Sequence, residues 1–67
     1  MTASPLRLLI VDDSAYNRNL IEQLFRGRDD VLVVGTAADG EEAIRLASQL
    51  EPDVITLDLE MPKMDGF

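Results

Sequence analysis

Three aspartates directly follow short apolar runs, an arrangement that could hold a divalent cation. Asp12 and Asp13 come after residues 6–11, and Asp58 comes after residues 54–57. Carboxylates about 4 Å apart repel by about 4 kcal/mol per pair at an effective dielectric near 20, so they need a compensating charge. Mg²⁺ prefers oxygen ligands and is typically held by one or two carboxylates with waters and phosphate oxygens, and Mn²⁺ has similar preferences. The spacing therefore predicts a Mg²⁺ site, in which Mn²⁺ would also fit.

A carboxylate beside such an ion can act as a nucleophile toward phosphorus, which would give an aspartyl phosphate. Each acid also has an ordinary interpretation. Asp12 and Asp13 could be a helix cap and a solvated acid, and Asp58 could be a turn residue at the end of a strand. The placement of all three after buried strands favours the metal site.

Strands and helices alternate in the pattern around these acids. Residues 6–11, 31–34 and 54–57 are short apolar runs typical of strands covered on both faces. Two helices separate them, and we expect the apolar stripe of each to be buried. The stripe residues are Leu20, Ile21, Leu24 and Phe25 in the first helix and Ala43, Leu46, Ala47 and Leu50 in the second.

The ends of these helices also carry signals. Ser14 or Asp13 can cap the first helix, and Pro52 ends the second. We expect the second helix to begin at Glu41, after a loop of small residues over 35–40.

The order β-α-β-α-β implies a parallel sheet with right-handed crossovers. Two strand orders are open. In the order 3-2-1 both helices lie on one side of the sheet, and in the order 2-1-3 they cover opposite faces. Only the second order places the ends of the first and third strands side by side, at the switch point where ligands bind. The three aspartates therefore favour the order 2-1-3.

Composition narrows the class of protein. The 67 residues carry a net charge of -7, which argues against a nucleic-acid or anionic-membrane surface. There is no cysteine or histidine, and 46% apolar residues are too many for a disordered tail. No stretch approaches the length of a membrane span, so we expect a cytoplasmic location.

Three stretches resemble bacterial two-component receiver domains. They read LIVDDS at residues 9–14, ADG at 38–40 and DLEMPKMDG at 58–66. The resemblance implies a flavodoxin-like, doubly wound α/β fold with strand order 2-1-3. The sequence of residues 56–62, TLDLEMP, most resembles the corresponding segment in the receivers of chemotaxis methylesterases.

The resemblance also implies a role for each site residue. Asp58 would be the phosphoacceptor, Asp13 would ligate Mg²⁺ directly, and Asp12 would act on the ion largely through water. The backbone carbonyl of Glu60 would complete the protein ligands. A sensor histidine kinase would supply the phosphoryl group and an output domain would respond, so the module itself would be regulatory rather than an enzyme.

A complete receiver continues for two more strands and three more helices. The resemblance therefore implies that residues 1–67 are the N-terminal portion of one receiver domain, without the later Ser or Thr and Lys that contact the phosphoryl group. Lys63 is a poor substitute, because the family pattern places an outward-facing residue there. A third strand without its neighbour would expose an apolar edge, which predicts a homodimer through that edge or through uncovered helix faces.

Two alternative functions are open. An Asp-dependent phosphohydrolase would use Glu60, two residues after Asp58, as its acid and base, although the continuation MPKMDG argues against it. A truncated, self-associating fragment would instead keep a metal site without phosphotransfer. Tyr16 and Asn17, beside the acids, could border the site, and we expect Tyr16 to be exposed. Arg18 could be a charge at the rim that attracts phosphate.

Overall fold

The computed structural model describes residues 4–58, which form a three-stranded parallel sheet and two helices. In chain order these are β1 (Leu6–Asp12), α1 (Ala15–Phe25), β2 (Val31–Ala37), α2 (Gly40–Leu50) and β3 (Val54–Asp58). The strand order is β2-β1-β3, which confirms the predicted 2-1-3 arrangement. β1 is therefore the central strand, and both other strands pair with it in parallel.

The core is built on β1. Four successive residues, Leu8 to Val11, are at most 4% exposed. Successive side chains of a strand point to opposite faces, so both faces of β1 are covered. Leu9 and Val11 pack with Ala43 of α2, and the other two residues lie on the face toward α1. β1 is thus the best-supported element, and it carries the acidic pair at its end.

β2 is longer than predicted. The expected end at residue 34 and the expected loop over 35–40 were wrong, because the strand continues through Ala37. The register shifts between Leu8 and Leu9, so that Leu9 pairs with Gly35 and Val34 is the additional residue of a bulge. A Cβ on Gly35 would lie 2.8 Å from Leu50 Cδ1, so glycine here allows α2 to approach the strand closely.

The first helix is less covered than predicted. Ser14 is its cap, as expected, and its hydroxyl accepts a hydrogen bond from the Asn17 amide at 3.2 Å. The expectation of a buried stripe was wrong for Leu20 and Leu24, which are 44% and 73% exposed. A sheet of three strands offers α1 a narrow surface, so only the side of the helix nearest β1 and β2 is covered.

The second helix begins one residue earlier than predicted, at Gly40, and its cap is Asp39. The Asp39 carboxylate accepts from the Glu42 amide at 2.8 Å, and the Glu42 carboxylate accepts from the Ala38 amide at 2.9 Å. This reciprocal pair closely resembles a capping box. At the other end Glu51 adopts a left-handed conformation with φ of 51° before Pro52.

None of the helices within residues 4–58 is long and apolar enough to cross a membrane.

Candidate functional site

The sheet register places Asp12 directly beside Asp58. Both strands run in the same direction, and their last paired residues are Asp12 of β1 and Asp58 of β3. Asp13 follows in the chain. The three acids line one cavity of about 100 Å³, together with Ser14 and Asn17. The structure therefore brings together the three aspartates predicted to form a site, at the carboxyl edge of a parallel sheet where such sites occur.

Asp12 is a buried carboxylate whose hydrogen bonds are incomplete. Its side chain is 1% exposed, and Oδ1 accepts from the Ser14 amide at 2.9 Å. Within residues 4–58, Oδ2 is buried without a hydrogen-bond donor. A buried polar atom without a partner costs about 1–3 kcal/mol, and more when it is charged. Asp12 Oδ2 is thus suited to a bound water or cation in the cavity.

The other two acids are accessible. Asp13 and Asp58 are both exposed, in contrast to the buried Asp12. A buried acid at the base of a cavity with two exposed acids beside it would leave room for an ion and for an incoming phosphoryl group. Asp13 and Asp58 are therefore the acids of this cavity that solvent can reach.

Arg18 supports the end of β1. Its Nη1 donates to the backbone carbonyl of Asp12 at 2.7 Å. This contact between α1 and the strand end was not predicted, because we considered Arg18 only as a charge at the rim. The hydrogen bond from the Ser14 amide to the Asp12 carboxylate was also missed. An aspartate whose side chain accepts from the backbone amide two residues later forms an Asx turn, a pattern that could have indicated this contact.

The residues beside the acids lie where the sequence suggested. Asn17 lines the cavity and Tyr16 is 72% exposed, as expected. The predicted ligand contributed by the Glu60 carbonyl, and Lys63, lie outside the described residues.

The donors present fit Mg²⁺ as a partly hydrated ion. Across the described part of the chain, no three acidic side chains converge closely enough to enclose a metal by themselves. Mg²⁺ does not require such a cage, because it usually keeps several waters and takes only one or two carboxylates. The unpartnered Asp12 Oδ2 and a lining of three acids, Ser14 and Asn17, each of which carries a side-chain oxygen, match that preference.

Comparison with known proteins identifies the class. The family model of the response regulator receiver domain matches residues 8–67. The chain belongs to this family, which confirms the resemblance seen in the acidic motifs.

Its relatives define the subgroup. The chain is 56% identical over 62 residues to protein-glutamate methylesterase/protein-glutamine glutaminase 6 of Anaeromyxobacter dehalogenans, covering 92% of this chain and 18% of that protein. It is 51% identical over 64 residues to a protein of the same description from Methanococcus maripaludis, covering 96% of this chain and 18% of that protein. The chain thus spans less than a fifth of the length of these relatives.

A solved structure confirms the fold. The response regulator domain of Thermotoga maritima CheB superimposes with a TM-score of 0.80 at 47% identity, over 92% of this chain and 46% of that chain. The chain is therefore similar to the N-terminal part of a methylesterase receiver, as the sequence around Asp58 predicted.

Proposed function

We propose that this chain provides the phosphoacceptor half of a receiver domain, in which Asp58 takes a phosphoryl group from a sensor histidine kinase. The observation that carries the proposal is the register of Asp12 beside Asp58, with Asp12 Oδ2 buried and unpartnered in the same cavity. Membership of the receiver family supports it. The consequence of phosphorylation is a shift in the output attached to the receiver.

Different residues of the chain would hold the metal ion and position its ligands. Asp13 would hold Mg²⁺ directly, Asp12 would hold it largely through water, and the Glu60 carbonyl would complete the protein ligands. When bound, Mg²⁺ would neutralise negative charge that develops on the transferred group. Arg18 and the Ser14 amide hold the Asp12 carbonyl and carboxylate in place. Manganese would fit the same oxygen donors.

The reaction itself is a nucleophilic displacement at phosphorus. A carboxylate oxygen of Asp58 forms the new bond to phosphorus while the bond between phosphorus and the kinase histidine nitrogen breaks. The leaving imidazole keeps the electron pair of that bond and takes up a proton. Exposure of Asp58 leaves the approach to its carboxylate open.

A second part of the proposal concerns the parent protein, beyond residues 1–67. Relatives that share this segment are named as protein-glutamate methylesterases/protein-glutamine glutaminases. We propose that a methylesterase output follows the receiver in the parent protein, and that the protein acts in the cytoplasm in chemotaxis signalling.

Acetyl phosphate labelling tests the phosphoacceptor. With Mg²⁺ present, the wild-type chain should gain one phosphoryl group, detected by intact mass and mapped to Asp58. Asp58→Asn should abolish labelling, and Asp13→Asn should raise the Mg²⁺ concentration needed for it. Asp29→Asn, which removes an exposed acid elsewhere, is the matched control and should label normally.

Three results would redirect the proposal. Labelling that survives Asp58→Asn would contradict the assignment of the phosphoacceptor. Steady turnover of small phosphomonoesters would instead favour the Asp-dependent phosphohydrolase. A folded chain that binds Mg²⁺ but takes up no phosphoryl group would favour the self-associating fragment.

The exposed surface of β3 supports self-association of the 67-residue chain. Val54, Ile55 and Leu57 are 42%, 46% and 67% exposed. Within the described residues β3 pairs only with β1, so its other edge presents unpaired backbone groups. We propose a homodimer through this edge or the adjacent face of α2, which sedimentation at micromolar concentrations would detect.

A further inference from the structure

Three hydrogen bonds join the start of β1 to the connection between α2 and β3. The Arg7 amide donates to Asp53 Oδ2 at 2.9 Å, and the Asp53 amide donates to the Arg7 carbonyl at 2.8 Å. The Arg7 guanidinium also donates through Nη2 to the carbonyl of Leu50, in the last turn of α2, at 2.5 Å. We call this set of contacts among Arg7, Asp53 and Leu50 the register clamp. It lies at the end of the sheet opposite the acids.

The spacing from the register clamp to the site is the same on both strands. Asp12 lies five positions after Arg7, and Asp58 lies five positions after Asp53. Every pair between them is in regular register, from Leu8 with Val54 to Asp12 with Asp58. β1 and β3 therefore extend the same number of residues from the register clamp to the cavity, so Asp12 and Asp58 lie side by side there.

Burial of its side chains alone fixes the register of β3 on β1 only weakly. A slip by one residue moves every side chain to the other face, and such a slip is strongly opposed only where one face is buried. On β3, apolar residues lie on both faces and each keeps a substantial exposed fraction: Val54 at 42% on one face, and Ile55 at 46% and Leu57 at 67% on the other. Exchanging these faces would again place apolar residues on both sides of β3.

The site, by contrast, does not tolerate a slip. One position along a strand is about 3.3 Å, whereas Mg²⁺ takes its ligands at roughly 2.0–2.1 Å. A displacement of Asp58 by one position would therefore separate the phosphoacceptor from a cation held by Asp12 and Asp13. Catalytic groups misplaced by only about 1 Å can lose a hundredfold in rate.

We infer that Asp53 and Arg7 are positioning residues for phosphoryl transfer: the register clamp sets the alignment of β3 on β1 and so places Asp58 beside Asp12. This inference rests on the proposed phosphoacceptor role of Asp58. Asp53 acts through the carboxylate oxygen that accepts from the Arg7 amide, and Arg7 acts through both its backbone and its guanidinium.

The decisive variant is Asp53→Ala in the full chain, compared with Asp53→Asn, which keeps an oxygen acceptor for the Arg7 amide. Asp53→Ala should lower the rate of acetyl phosphate labelling at saturating Mg²⁺ by at least about tenfold, whereas Asp53→Asn should stay within about threefold of wild type. Val33→Ala, a destabilising change in β2 away from the clamp and the acids, is the matched control. It should label at the wild-type rate at temperatures where it remains folded.

Nuclear magnetic resonance separates this inference from the phosphoacceptor proposal. Contacts between the backbones of Val11 and Leu57 report the register directly, whether or not Asp58 can be labelled. They should weaken and new, shifted contacts should appear in Asp53→Ala but not in Val33→Ala. If the wild-type chain takes up no phosphoryl group but Asp53→Ala still shifts the register, the phosphoacceptor proposal fails and the clamp stands.

Three results would overturn the inference: an Asp53→Ala chain with wild-type register, one with wild-type labelling, or equal losses in Asp53→Asn and Asp53→Ala. If Asp53→Ala does not fold, amide hydrogen exchange in the wild-type chain decides. The Arg7 and Asp53 amides should be protected about as well as the Ile55 amide. Unprotected amides at these two positions would show that the clamp is open and would overturn the inference.

Discussion

At the scale of single residues, Asp12 shows how a buried carboxylate at the candidate site can cost stability. Its carboxylate is almost fully buried, and one of its oxygens lacks a partner among the described residues. Stability alone would favour an uncharged residue of similar shape at this position. A carboxylate there becomes favourable when a cation or an ordered water occupies the cavity.

Asp12→Asn should therefore stabilise the metal-free chain and weaken Mg²⁺ binding. The amide keeps an oxygen for the Ser14 amide and removes the buried charge, so we expect a gain of about 1 kcal/mol in the free energy of unfolding. Urea unfolding in the presence of a chelator measures this gain. At saturating Mg²⁺ the difference should shrink, because ligand binding stabilises the wild-type fold by mass action.

Asp58→Asn is the control for Asp12→Asn, since it also removes one charge from the cluster but at an exposed position. It should stabilise the metal-free chain less than Asp12→Asn does. Equal gains would show that repulsion between the acids, rather than burial of Asp12, sets the cost.

At the scale of elements, the end of α2 contains a local strain. Glu51 adopts φ of 51°, a left-handed conformation in which residues other than glycine are disfavoured by about 1 kcal/mol. Its negative charge also lies at the carboxyl end of the helix, where the macrodipole disfavours it. The turn is nevertheless required, because it leads through Pro52 to Asp53 and the register clamp.

Glu51→Gly should raise the free energy of unfolding by about 0.5–1 kcal/mol, because glycine adopts the left-handed conformation without steric cost. Thermal or urea unfolding measures the gain. Glu51→Gln removes only the charge and should give a smaller gain. A Gln variant as stable as the Gly variant would assign the cost to the helix dipole instead of the backbone conformation.

The elements also show what a sequence can predict. The first strand, both helices and the third strand were predicted because their apolar spacing is a local property. The extension of β2 from Gly35 to Ala37 was not, because a glycine followed by small residues has the composition of a loop. What makes these residues a strand is tertiary: β1 supplies the hydrogen-bonding partners, and Leu50 of α2 occupies the space beside Gly35.

The candidate site was likewise predictable from the sequence only in part. Asp12, Asp13 and Asp58 could be placed together from strand ends and parallel topology. The contact from Arg18 to the Asp12 carbonyl and the contact from Arg7 to Leu50 join residues whose types give no signal of pairing, since an arginine that donates to a backbone carbonyl leaves no complementary charge in the sequence.

At the scale of the whole molecule, apolar surface remains uncovered on both sides of β3. One apolar cavity is lined by Phe25 and Val54 on the α1 side, and another by Ala43, Ile55 and Leu57 on the α2 side. Exposed apolar area of this kind favours association. A net charge of -7 opposes it through repulsion between copies, and this repulsion weakens as salt increases.

Ile55→Lys should therefore shift the chain toward the monomer. A lysine on an edge strand opposes pairing with a second strand, and its charge would be desolvated in a dimer. Sedimentation across a range of concentrations should show at least about a tenfold increase in the dimer dissociation constant, equivalent to about 1.4 kcal/mol. Higher salt should strengthen association of the wild-type chain.

Leu32→Lys is the matched control, because it introduces the same charge at a similarly exposed position on β2, at the other edge of the sheet. It should change the dissociation constant much less. Dissociation by Leu32→Lys but not by Ile55→Lys would move the proposed interface to β2, and a wild-type chain that sediments as a monomer would remove the dimer altogether.

The central position of β1 has a further consequence for how the site fluctuates. β1 has a hydrogen-bonded neighbour on each side, whereas β3 has one such neighbour within the described residues and only five residues to hold it. Regions with few buried contacts open at lower free energy than the global unfolding transition. The proposed metal ligands Asp12 and Asp13 thus lie at the end of the central strand, whereas the proposed phosphoacceptor Asp58 lies on the shortest strand, and we expect β3 to open before β1. Detachment of β3 would switch the site off while the rest of the chain remains folded, so reactivity of Asp58 should fall at denaturant concentrations too low to unfold β1.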